Sequence, residues 1–230
     1  MARKNTFYYF LMMLICLSGY GQNTKDAGLW ATFSVQKEIT KKISLTFDQE
    51  MRLRENFQRL NLFYTNVGID YKLNKNIKIS PTYRFTQKKQ LEPGFSYRHR
   101  FMLDVTAKKK LSNITLSERV RYQTEVQNYY TSKKGKIPEH YLRFRTDIKY
   151  TAPEKITPYY SCEFRYQITA PRGDEPLSNY GFHRIRNVAG VEYKINDNNT
   201  LNFYYLIQSE FNIVDKESIY IVGIGYNLSI

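Results

Sequence analysis

Twelve arginines recur at alternate positions along this chain: Arg52, Arg54, Arg84, Arg98, Arg100, Arg119, Arg121, Arg143, Arg145, Arg165, Arg184 and Arg186. Asp48, Glu50, Asp104, Glu125, Asp147, Glu163 and Glu192 are interleaved with them at the same parity. A guanidinium presents a planar fork of N–H donors that matches carboxylate and phosphate oxygens. Gathered on one face, such residues have two uses. Paired with the acids, they form a salt-bridge network, because charges taken out of water must be compensated. In excess over the acids, they make an anion-favouring passage or pocket, because rings of charge set pore selectivity.

The other reactive side chains are few. There are three histidines, His99, His140 and His183. Alternation puts His99 and His183 on the apolar parity, and His140 at the start of a strand. A lipid hydrolase or acyltransferase needs a serine activated by a nearby base. No serine stands two residues from any of these histidines on its own face, though a cross-strand pair would not be visible. Three dispersed histidines do not make a metal site, and no cofactor is implied. Cys16 falls in an N-terminal apolar run, so Cys162 is the only cysteine of the processed chain. That excludes an intramolecular disulfide and a cysteine-rich metal centre.

The elements that must position these residues are strands. In Lys42–Arg54, Ile43, Leu45, Phe47, Met51 and Leu53 share one parity, and Asp48, Glu50, Arg52 and Arg54 share the other. At about 100° per residue the apolar set would scatter around a helix, whereas a strand places it on one face. The pattern repeats in about eleven stretches, beginning with Leu29–Gln36 and ending with Tyr220–Ile230. Short turns near residues 39, 75, 110, 154 and 197 alternate with longer polar connections near 57, 91, 133, 175 and 214. Leu60 and Leu62 fall out of phase with Phe63, which predicts a bulge there. Pro81 cannot donate to a ladder and predicts an irregularity. Glu118 interrupts an apolar row, which a subunit contact or a register change would explain.

The greasy face could point inward, as in a soluble barrel, or outward against lipid. Three features favour lipid. Many strands run longer than the 9–11 residues that cross a bilayer when tilted. Alternating short and long connections are typical of outer-membrane barrels. Tyr71, Tyr150, Tyr160, Tyr193 and Tyr226 recur near the short-turn ends, and Phe95, Tyr97, Tyr122 and Tyr220 near the others, as interfacial girdles do. Arg3 and Lys4, the apolar run Phe7–Leu17 and the small-residue exit Ser18–Gly21 read as a cleaved leader over 1–21. The formal charge is +14, or +12 without the two basic leader residues. These cations are spread one or two per strand rather than clustered, so nucleic acid is not the expected partner. Outer-membrane lipid is.

The expectation is therefore an all-β fold: one antiparallel up-and-down transmembrane β-barrel of 10–12 strands over 22–230. Because bacterial single-chain barrels have even strand numbers, Leu29–Gln36 should not be a full wall strand, or one strand is missed or merged. Trp30 shortly after the leader, Glu50-Met-Arg-Leu-Arg54 on the second strand and Val67-Gly-Ile-Asp-Tyr-Lys-Leu73 closing the third carry a resemblance. With the basic-polar meander that follows, the chain resembles the domain of unknown function 2490 family. The resemblance implies an outer-membrane β-barrel of a Gram-negative bacterium and no established activity. The functional expectation is a non-enzymatic barrel with an arginine-rich lumen, structural or a passive small-solute or anion channel. The alternative is a lipid-modifying enzyme with a rim site.

Overall fold

The computed structural model describes residues 24–90, 94–127, 136–151, 155–169, 181–213 and 216–230. The leader expected over 1–21, most of the connection near 133, the connection near 175 and parts of the connections near 91, 154 and 214 lie outside the described residues. Eleven strands follow in order: β1 (Thr24–Glu38), β2 (Ile43–Arg54), β3 (Arg59–Lys72), β4 (Ile77–Lys89), β5 (Phe95–Leu111), β6 (Ile114–Gln127), β7 (Glu139–Tyr150), β8 (Ile156–Thr169), β9 (Gly181–Lys194), β10 (Asn199–Glu210) and β11 (Glu217–Ser229). Each pairs with the next in sequence, and β11 returns to β1 to close the barrel.

All neighbouring pairs are antiparallel except the last. β1 runs parallel to β11, from Thr24 opposite Glu217 to Gln36 opposite Ser229. The expectation of an even count is therefore corrected. The stretch beginning near Leu29 is a full wall strand of 15 residues, and no other strand is merged or missing among the described residues. In an up-and-down meander the first and last of an odd number of strands point the same way, so they close in parallel. Arg54 of β2 clamps this seam. Its Nε donates to Asp26 Oδ2 of β1 at 2.9 Å and its Nη2 donates to Glu217 of β11. At the opposite end, Ile230 N donates to Gln36 O and Glu38 N to Ile230 O, both at 2.9 Å.

Three of the short turns are built alike. Thr40 Oγ1 accepts from the amides of Lys42 and Ile43, Asn74 Oδ1 from those of Asn76 and Ile77, and Asn196 Oδ1 from those of Asn198 and Asn199. Side-chain oxygens that cap their own turns in this way favour tight hairpins. At the other end, Glu55, Asn56 and Phe57 all have φ between 55° and 71°. Three successive side chains in the left-handed region are strained, and Asn56 N is held there by Ala27 O at 3.1 Å.

The outer wall carries the apolar parity. Leu45, Phe47 and Met51 of β2 are exposed, and so are Val67, Phe101, Val120, Phe144 and Phe203 on other strands. A water-soluble monomer does not show so continuous an apolar surface, and strands of 12 to 17 residues are long enough to cross hydrocarbon. One cross-strand row breaks the band: Glu118, Thr146, Cys162 and Asn187 stand opposite one another on β6 to β9. Glu118 keeps register with Ala107 and Thr146, which overturns a register change there. Its carboxylate accepts from Thr146 Oγ1 at 2.8 Å, and Asn187 Oδ1 accepts from Tyr160 OH at 2.7 Å.

Irregularities re-aim particular side chains. Arg52 pairs with Leu62 and Leu53 with Leu60, so Asn61 is the extra residue of a bulge, just before the expected position. The β3–β4 ladder is interrupted at Pro81, between Gly68–Thr82 and Tyr71–Ile79. On β9, Arg184 pairs with Arg165 and Phe182 with Tyr166, which leaves His183 unpaired between them. His183 is consequently turned inward and only 3% exposed, correcting its expected place on the apolar outer row. Inside, Tyr204 lies flat over Gly223, where an added Cβ would come within 1.9 Å of the ring, and Tyr159 covers Gly190 in the same way.

If Arg54 holds the seam, Arg54→Ala should destabilise the folded barrel in detergent by about 1–3 kcal/mol, the scale of lost charge-assisted hydrogen bonds. Urea titration of the compact, heat-modifiable gel band measures it, and an unchanged midpoint would refute the clamp.

Candidate functional site in the lumen

The side chains opposite the apolar wall surround a central cavity of about 600 Å³. All twelve arginines named from the sequence line it, and so do Lys88, Asp48, Glu50, Glu125, Glu163 and Glu217. Asp104, Asp147 and Glu192 do not line the cavity but are held at the wall. Asp104 takes a bidentate pair from Arg121 at 2.6 and 2.7 Å. Asp147 accepts from Arg145 at 2.8 Å and from Ser161, and Glu192 accepts from Lys149.

Strand register brings these charges into rows. One row reads Asp104, Arg121, Arg143, Arg165, Arg184, Glu210 across β5 to β10. A second, across β6 to β9, reads Arg119, Arg145, Glu163, Arg186. A third runs Asp48, Asn66, Arg84, Arg100, Glu125 across β2 to β6. Like charges directly opposite destabilise a sheet, so the acids are placed as bridges between rows. Glu163 is the busiest. It receives Arg143 through Nε at 3.1 Å, Arg119 at 2.6 Å and Arg186 at 3.7 Å. Glu125 receives Arg100 through Nε at 2.6 Å and Arg98 at 3.4 Å.

Ten of the twelve arginines have a carboxylate oxygen at 3.7 Å or less. Arg84 and Arg165 are the exceptions among the described pairs, and each lies on an aromatic ring instead. The Arg84 guanidinium carbon is 3.6 Å from the centre of the Tyr64 ring and that of Arg165 is 3.9 Å from Tyr141. Arg52 stacks on Trp30 at 3.5 Å, so Trp30, Arg52, Tyr64 and Arg84 form a layered stack across β1 to β4. Cation–π contacts gain strength when shielded from water. Behind Trp30, Leu206, Ile219 and Ile221 make a small apolar cluster on the β10–β11 wall. None of the twelve arginines stands on β10 or β11, whose inner face bears this cluster together with Gly223 and Gly225.

Alternation alone gives these inward aromatics no role. Their signal was present: Trp30, Tyr141, Tyr159 and Tyr204 stand on the polar parity, out of phase with the girdle. The histidines contact different partners. His99 Nδ1 and His140 Nδ1 share hydrogen bonds of 2.7 Å with the hydroxyls of Tyr83 and Tyr122 on the outer wall. His183 Nδ1 meets Gly181 O at 3.1 Å, and its ring packs 6.4 Å from that of Tyr141.

A closed meander with a polar, charged interior and an apolar exterior is a porin-like β-barrel. The chain belongs to the family described as "Protein of unknown function (DUF2490)", whose model matches residues 27–218. Among solved structures it is similar to the NanC porin in its rhombohedral crystal form, at 12% identity and a TM-score of 0.53, over 85% of this chain and 94% of that one. It is also similar to the KdgM porin in complex with disordered oligogalacturonate, at 14% identity, a TM-score of 0.47 and coverage of 83% and 87%. The KdgM porin gives 14% identity, a TM-score of 0.42 and coverage of 80% and 91%. Among curated proteins no match is found.

The pairing pattern makes Glu163 the hub of the interior. Glu163→Gln leaves up to three guanidiniums short of a counter-charge, and removing one partner of a buried pair costs about 3–5 kcal/mol. Denaturant titration in detergent should show a loss of that order, and a change below about 1 kcal/mol, the scale of exposed pairs, would contradict the hub.

Proposed function

We propose that this protein is a non-enzymatic outer-membrane barrel whose lumen passes small anions passively. On this reading residues 1–21 are a cleaved export leader, 22–230 form one barrel domain, and outer-membrane lipid surrounds the apolar wall. The observation that carries the reading is the excess of positive charge around the cavity: twelve arginines and one lysine line it against five carboxylates, and among the described residues only four more acids, Asp26, Asp104, Asp147 and Glu210, pair with lining arginines from the wall. A cation entering such a lumen meets a net positive field in a confined space, whereas an anion is attracted.

A sealed lumen is the second reading, and one observation favours it. Glu125, Glu163, Arg84 and Arg143 are each less than a tenth exposed, as expected where a salt-bridge network fills the interior. A rim enzyme has weaker support, because His99 and His140 each share a hydrogen bond with a tyrosine and His183 one with a backbone carbonyl.

Planar-bilayer recording separates these readings. Under a potassium chloride gradient the reversal potential should take the sign for chloride preference, and the preference should shrink as ionic strength rises. Arg184→Glu should move it toward cations. Cation preference in the unaltered protein would overturn the anion reading, and the absence of current from folded, reconstituted barrels would select the sealed lumen.

A further inference from the structure

Across β6 to β9, Arg121, Arg143, Arg165 and Arg184 stand directly opposite one another in a single row. Three of the four are neutralised: Arg121 by Asp104, Arg143 by Glu163 and Arg184 by Glu210. Arg165 sits between two of them with no carboxylate partner among the described pairs, and its buried Nε has no hydrogen-bond partner. The acids around it are already engaged: Glu163 by three arginines, Glu210 by Arg184, and Glu125, which attracts Arg165 from beyond ion-pair distance, by Arg98 and Arg100. A guanidinium with no direct counter-ion in a row of like charge is costly in a shielded interior.

The surroundings of Arg165 hold it in place without neutralising it. Tyr141 supports one face of the guanidinium at 3.9 Å, and the inward-turned His183 packs against Tyr141. A guanidinium held over a ring keeps its N–H donors in place, and Arg165 lines the cavity. Arg84 is stacked similarly, but its Nε is already taken by Asn66 Oδ1 at 2.7 Å.

We propose that Arg165 is the centre of an oxyanion-binding site, which holds a carboxylate or phosphate group between Arg165 and its row neighbours Arg143 and Arg184. The planar fork selects a ligand with two oxygens about as far apart as its donors, which a halide lacks. The site adds selectivity among anions to the passage proposed above. It rests on that reading only in requiring that solutes enter the lumen, so it is tested without current.

The experiment is thermal unfolding of the purified barrel in detergent, titrated with sodium phosphate, sodium acetate or sodium chloride at constant ionic strength. A ligand that binds only the folded state raises the midpoint saturably. Phosphate, acetate or both should do so and chloride should not; which of the two is more effective assigns the group. In Arg165→Gln the saturable shift should disappear. In Arg165→Lys, which keeps the charge but loses the fork and secures the test if the glutamine variant does not fold, apparent affinity should fall by about tenfold or more, about 1.4 kcal/mol. A shift equal to that of chloride, or one retained at full affinity in a folded Arg165 variant, would overturn the site whether or not the barrel conducts.

Discussion

A sheet surrounded by hydrocarbon cannot keep an open edge, because unpaired amides and carbonyls find no water there. Closure is the constraint on which the rest of this structure depends. With eleven strands in a meander, closure requires a parallel seam between β1 and β11. Parallel pairing is slightly less stable per residue than antiparallel pairing, and the seam is reinforced at both ends: by Arg54 bridging Asp26 and Glu217, and by the Ile230 backbone bridging Gln36 and Glu38. Once the barrel is closed, the period of two along every strand sends one set of side chains out and the other in.

The consequence inside is crowding of like charge. Register places arginine opposite arginine on neighbouring strands, and a limited number of acids is distributed among them. Sharing of one acid by several arginines, at Glu163 and Glu125, and stacking of Arg84 and Arg165 on aromatic rings, are two different solutions to the same problem. The first cancels charge. The second supports the guanidinium while leaving its charge available, and that difference separates a sealed interior from one that receives anions.

Much of this was legible from alternation alone. The parity of Ile43, Leu45, Phe47, Met51 and Leu53 against Asp48, Glu50, Arg52 and Arg54 gives the strand its two faces, and the spacing of the turns gives the meander. The family followed from Trp30, the Glu-x-Arg-x-Arg segment and the Val67–Leu73 stretch, and its model indeed matches 27–218. What alternation could not supply was anything that breaks it or crosses between strands. All eleven stretches are visible in the sequence, but alternation does not show that an odd number closes through a parallel seam. Alternation points His183 outward, but a single unpaired residue on β9 reverses the phase, and nothing local in Gly181-Phe-His-Arg184 marks that reversal. The stacked rings are not legible in the sequence, because an aromatic on the polar parity has meaning only once register places an arginine beside it.

The central claim is that the charged parity faces the lumen and the apolar parity faces lipid. Spin labels placed one at a time at residues 43–54 of β2, in a Cys162→Ser background in lipid bilayers, test it most directly. Collision with oxygen should rise at Ile43, Leu45, Phe47, Gln49, Met51 and Leu53 and fall at the residues between them, with a period of two. A polar relaxation agent should not share those maxima. Oxygen maxima at Asp48, Glu50 and Arg52, or no periodicity along the strand, would contradict the account.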